Sequence, residues 1–149
     1  MILLVHMLFG AATASLVKNP IFAVVLAFLG HYSLDFIPHV EYDIKDIKEK
    51  RWHRAYPEII KVFLDFLTGF LIIFTFSGNR SMIYICALTA VIPDGFTFLN
   101  IIFPNKILVL HDKIHRGKIH ILKNKKISVF WRIISQVIIA VISITILNF

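Results

Sequence analysis

The strongest constraint on this chain is a series of five apolar runs, at about 1–17, 20–39, 57–76, 81–100 and 127–147. Each is near the ~20 residues that cross the hydrocarbon of a bilayer. Lipid offers no water to backbone N–H and C=O groups, so such segments satisfy them internally as helices. The expectation is an all-α, polytopic transmembrane bundle of about five membrane helices, a single integral membrane domain over 1–149. The first run is the shortest and is read as either a full or a half crossing. A mean hydropathy of +0.78 and a charged fraction of 17% agree, since a soluble core of this size leaves much apolar surface in water. Lys18-Asn19-Pro20 reads as a turn with Pro20 opening the second helix. Ser77-Gly78-Asn79 reads as a tight turn that makes the third and fourth helices antiparallel neighbours. Ala12-Thr13-Ala14 looks like a signal cleavage site, but no basic residue precedes the run and His6 interrupts it, so the segment is read as retained.

A net charge of +7 raises the question of nucleic acid. Its distribution answers otherwise. Of the 16 basic residues, all but Lys18 and Arg80 lie in or beside two connections, 40–56 and 101–126. That clustering is what the positive-inside rule produces, so no nucleic-acid partner is expected and membrane lipids are. With five crossings the two connections share a side with the N-terminus. The expected location is the cell membrane, multi-pass, with the N-terminus and both basic connections cytoplasmic. Tyr42, Trp52, Tyr56 and Trp131 fall near the same boundary, as an aromatic belt does. The single cysteine, Cys86, sits within an apolar run and has no partner for an internal disulfide.

Depth along the helices, at ~1.5 Å per residue, brings the ionisable residues of the runs to one level. His6 lies roughly 8 Å in from the basic side, His31 and Asp65 about 12 Å, Asp35 about 6 Å and Asp94 about 9 Å, with His39 at the rim. The connection after Asp94 adds His111, Asp112, His115 and His120. No run carries an ionisable residue in the opposite leaflet. Such groups cost roughly 2.5–3.5 kcal/mol each on insertion scales, so they pair, face water or bind something. His31, Asp35 and His39 recur at i, i+4, i+8 on one helix face, and His111 and His115 repeat the spacing that lets two imidazoles share a metal. His6, His31, Asp35, His39, Asp65, Asp94, His111 and His115 therefore form the candidate metal set. Mixed His and carboxylate donors without thiolate suit a divalent metal such as zinc, manganese or iron. Several members also have purely structural readings. Asp65 lies one turn after Lys61, His6 suits a hydrogen-bonded core position, and Arg132 is placed to snorkel.

The stretch Ala27-Phe28-Leu29-Gly30-His31-Tyr32-Ser33-Leu34-Asp35-Phe36-Ile37-Pro38-His39 resembles the His-Tyr-x-x-Asp-x-x-x-His helix of zinc-dependent phospholipase C-like proteins. His115-Arg116-Gly117-Lys118-Ile119-His120 is similar to the His-Arg-Gly-x-Thr-His motif of membrane-bound metal-dependent hydrolases. His6 followed by Gly10, and the pair Pro93-Asp94, also recur in those groups. The resemblance covers about a third of the chain. It implies His31 and Asp35 as metal ligands, with His6, Asp94, His111 and His115 as their partners.

The expected function is hydrolysis of a phosphate ester, lipid or soluble, at the cytoplasmic interface. The metal supplies Lewis acidity and an acidified water. Arg116, Lys118 and Arg132 are candidates to hold the phosphate, and His120 or Asp94 to serve as acid or base. Two rivals remain open at this level. A small ion or proton transporter would use the same His and Asp residues but needs polar groups in the far leaflet. A non-catalytic membrane subunit leaves the one-sided cluster without a purpose. No Gly-rich phosphate loop and no Gly-x-Ser-x-Gly elbow occurs.

Overall fold

The structure is a computed structural model that describes residues 1–78, 80–119 and 127–148, apart from the side chain of Lys118. Among the described residues the chain is helical, without strands. In order it forms α1 (Leu3–Leu16), α2 (Pro20–Asp35), a single turn α3 (Lys45–Lys48), α4 (Trp52–Ser77), α5 (Ser81–Ile102), α6 (Lys106–Ile114) with a π-helical turn at His115–Ile119, and α7 (Val129–Leu147).

Helices α4, α5 and α7 are long and apolar enough to cross a membrane. Their outer faces carry exposed Phe63, Phe70, Phe74, Ile92, Ile138 and Val141, an arrangement that only lipid solvates well. The chain is thus a membrane protein built as a helical bundle. The shorter apolar helices α1 and α2 have 14 and 16 residues, or roughly 21 and 24 Å, against a hydrocarbon core of about 30 Å.

Helix α1 is the hub, packing against α2, α4, α5 and α7. Val5, His6, Met7 and Leu8 are all buried, as are Gly10, Ala11, Ala12 and Thr13, so it is enclosed on every side. Small residues make that possible. A Cβ on Gly10 would stand 2.4 Å from the Cys86 carbonyl oxygen on α5, so only glycine lets these two backbones approach so closely. Met7, Leu8 and Ala11 then join Ile73, Ile83, Ala87 and Leu147 in the central core.

Three expectations change in detail. Helix α2 ends at Asp35, not at 39. Pro38 disfavours helical backbone at Ile37 and has no N–H for the Leu34 carbonyl, which accepts from the Ile37 N–H at 3.0 Å instead. Helix α4 begins at Trp52, because helix continues through interfacial residues too polar to extend an apolar run. Finally, α1 lies close against both α4 and α5, which approach each other far less closely than neighbouring antiparallel helices do. They meet near their turn, where Gly78 has φ 60° and the Tyr84 ring lies 5.8 Å from that of Phe70. Pro20 does open α2, and the Asn19 side chain caps it by accepting from the Phe22 N–H at 3.0 Å.

Candidate metal centre

Four elements deliver donors to one buried point. Helix α2 carries His31 and Asp35 at i, i+4 near its C-terminal end, and Ala23 and Ala27 let it settle against Cys86 and Ala90 of α5. Helix α5 brings Asp94, the π-helical turn brings His115, and α1 brings His6. One donor atom from each of His31, Asp35, Asp94 and His115 lies within 4.8 Å of the others. His6, His31 and Asp35 are almost completely buried. Asp94, with a side chain 30% exposed, forms the open edge.

The two oxygens of Asp35 face different partners. Oδ2 lies 3.1 Å from His31 Nε2 and 3.0 Å from His115 Nε2. Oδ1 lies 2.7 Å from the Met1 amino group, 3.3 Å from His6 Nε2 and 3.8 Å from His39 Nε2. The Nε2 atoms of His31 and His115 are 3.1 Å apart, and His31 Nε2 is 3.8 Å from Asp94 Oδ1.

Hydrogen bonds behind these atoms decide which nitrogen faces inward. The Ala90 carbonyl can only accept, so His31 Nδ1, at 2.8 Å, carries the donated proton. In the neutral ring Nε2 then turns a lone pair toward Asp35, Asp94 and His115. His39 Nδ1 is fixed in the same way by the Ile37 carbonyl at 2.7 Å. The Thr97 hydroxyl holds His115 Nδ1 at 3.3 Å. Carbonyl partners of this kind set the tautomer of metal-ligating histidines, and a hydroxyl, which can donate or accept, orients the ring.

The His31 Nε2 lone pair facing the Asp35 carboxylate repels it, and a proton on His115 Nε2, 3.0 Å from Asp35 Oδ2, or a cation among these atoms relieves that repulsion. His6 sharpens the point. Its ring stacks on His31 with centroids 4.0 Å apart and is wholly buried; Nε2 meets only Asp35 Oδ1 at 3.3 Å, and Nδ1 has no hydrogen-bond partner among the described residues. Such an orphan is costly in a dry interior. Two imidazoles and two carboxylates so closely spaced are a donor set that fits a divalent cation, beside the Met1 amino group that meets the other Asp35 oxygen.

The other candidates are placed differently. Asp65 is not among the four converging donors: it accepts from the Leu4 N–H at 2.9 Å and from the Tyr42 hydroxyl, tying α4 to the start of α1. Burial, and then the hydrogen bond to Asp65, raise the pKa of Tyr42 above the ordinary phenol value. His39 lies past the end of α2 but still adjoins Asp35 and is 3.3 Å from Glu41. His111 meets the Tyr32 hydroxyl at 3.0 Å, with its ring 5.3 Å from that of His115. Burial, and then the neighbouring His115, hold its pKa below the ordinary imidazole value. Arg116 pairs with Asp112 one turn earlier. His120 lies outside the described residues, as does the Lys118 side chain.

Beside the centre is a cleft of about 590 Å³, lined among others by His39, Tyr42, Lys45, Lys48, Glu49 and Arg132. His39 is the candidate ligand that borders it. The connection forming its wall is fastened to α7, where Ser135 donates to the Pro38 carbonyl and Gln136 to the Val40 carbonyl at 3.2 Å.

The sequence did not point to Thr97, and it marked Tyr42 only as an aromatic-belt residue and not as a partner of Asp65. Thr97 lies one helical turn after Asp94 and so on its face, a signal that was available. Tyr42 stands in an irregular connection, where no periodicity places a side chain. Compared with protein-family models, curated proteins and solved structures, the chain matches none of them.

Proposed function

We propose that the chain is a membrane-embedded, metal-dependent hydrolase that cleaves a phosphate ester at the membrane interface. The observation that carries this reading is the buried convergence of His31, Asp35, Asp94 and His115 from three separate parts of the sequence. Its resemblance to zinc-dependent phospholipase C-like proteins and membrane-bound metal-dependent hydrolases supplies the reaction class. Zinc is the first expectation for the metal, with manganese and iron next.

His31, Asp35, Asp94 and His115 would hold the ion, with His6 and His39 flanking Asp35. A divalent metal there supplies Lewis acidity toward phosphoryl oxygens. The chain's own residues do the rest. Asp94, at the open edge, is placed to accept or return a proton, a role His120 shares on sequence grounds. Lys45, Lys48 and Arg132 line the cleft and would meet a phosphate there in competition with Glu41, Asp43 and Glu49 of the same lining, Arg132 with a planar pair of donors. Arg116 is already engaged by Asp112 and serves the phosphate only by sharing that partner. The basic connections put this side of the bundle in the cytoplasm of a cell-membrane protein.

The test is turnover by detergent-solubilised protein on a panel of phosphomonoesters and phosphodiesters, lipid and soluble. Cleavage that a chelator stops and added metal restores supports the proposal. Metal-loaded, folded protein that cleaves none of them and instead conducts ions into liposomes overturns it. Reporter fusions after residues 50 and 120 test the orientation, both being expected in the cytoplasm.

A further inference from the structure

Helix α6 is too short to span and too apolar for water, and the way its faces divide says where it lies. At 3.6 residues per turn, Ile107, Leu110 and Ile114 form one stripe, and they are 80%, 58% and 44% exposed. The adjoining face toward the bundle carries His111, bonded to Tyr32 and edge-on to Phe96, and leads straight into His115. The face on the other side of the stripe carries Lys106 and Lys113, both exposed. The acidic side chain of this helix, Asp112, is engaged by Arg116. One face thus meets the candidate centre, one is aliphatic and one is cationic.

We infer that α6 is an interfacial helix seated in anionic lipid, with Ile107, Leu110 and Ile114 in the acyl boundary and Lys106 and Lys113 among the headgroups. Three observations select lipid as the occupant. The aliphatic stripe follows, within a few residues, a run of exposed apolar side chains at the end of α5 and its cap, Phe98, Leu99 and Phe103. Asn105 caps α6 by accepting from the Ile107 and Leu108 N–H groups at 3.0 Å each, so the chain turns off just where α5 leaves the bilayer. The two lysines beside the stripe complement acidic headgroups. The consequence, which rests on the metal reading, is that His115 is held against Asp35 by a helix whose outer face the lipid supports. Membrane composition then bears on how complete the ligand set is.

The seat is tested without reference to metal or turnover. In a Cys86→Ala background, a nitroxide is attached at Ile107→Cys, Leu110→Cys or Lys113→Cys in the full chain. The protein is reconstituted into vesicles of phosphatidylcholine with phosphatidylglycerol. Collisions with oxygen, which concentrates in lipid, and with a water-soluble nickel chelate are then compared. Labels at 107 and 110 are expected roughly 5–10 Å below the headgroups, with a several-fold higher oxygen-to-nickel ratio than the label at 113. Lowering the phosphatidylglycerol fraction, or Lys106→Gln with Lys113→Gln, is expected to make the labels shallower. Equal nickel access at all three positions overturns the inference by placing the stripe in water. Spin–spin broadening between copies at 110, with low access to both reagents, overturns it by placing a second copy there.

Discussion

The Nε2 atoms of His31 and His115 lie 3.1 Å apart although 84 positions separate the residues in the chain. One is oriented by a backbone carbonyl of α5 and the other by a hydroxyl of the same helix. Helix α5 is therefore the common frame for ligands contributed by two other elements.

Thr97 is the part of that frame open to substitution. Thr97→Val removes the hydroxyl from His115 Nδ1 with little change of volume, and metal affinity is expected to fall about tenfold, within the 10–100-fold range for such supporting contacts. Thr97→Ser keeps the hydroxyl and is expected to restore most of the loss. Competition titration with a chromophoric chelator measures both. A Val variant that binds as tightly as the parent removes Thr97 from the account.

Asp65 separates placement by depth from placement by structure. Its carboxylate serves the start of α1 and Tyr42, so Asp65→Asn is expected to leave the metal content unchanged. It should destabilise the bundle by about 1–3 kcal/mol through poorly matched buried donors. Tyr42→Phe is expected to act in the same direction. Metal analysis beside thermal melts of the same samples checks this, and loss of metal from a stably folded Asn variant contradicts it.

This contrast shows what was legible in the sequence. Hydropathy gave the helical membrane bundle, and depth along the runs brought His6, His31, Asp35 and Asp94 to a common level. Depth carries no information about rotation, however. Asp65 shares the level of His31, yet it is spent on holding α1. Likewise, the apolar pattern carried the second helix to 39, whereas Pro38 ends it at Asp35, and the path that takes His39 onward depends on contacts with α7 that no local pattern encodes. The central position of α1 was also hidden, since a helix enclosed on all sides has no periodic apolar stripe to point at its neighbours.

Two glycines test the packing that lets α1 occupy that centre. Gly10→Ala places a methyl group 2.4 Å from the Cys86 carbonyl oxygen, a backbone atom that moves only with its helix. Overpacking of this kind costs about 1–3 kcal/mol. Gly30→Ala meets the end of the Phe9 ring at 2.1 Å, a side chain that can swing aside. The Gly10 variant is therefore expected to melt at the lower temperature of the two, and the reverse order contradicts the packing described.

Asp35 touches every histidine brought to the centre, and its substitution tests the central claim most directly. Protein purified in mild detergent without chelators is analysed for transition metals against protein concentration, as the parent and as Asp35→Asn, with folding verified by helical circular dichroism. The parent is expected to retain at least one divalent metal per chain, and the Asn variant to lose most of it while remaining helical. A folded parent that carries no metal, or an Asn variant that retains the parent's full complement, contradicts a metal centre built on Asp35.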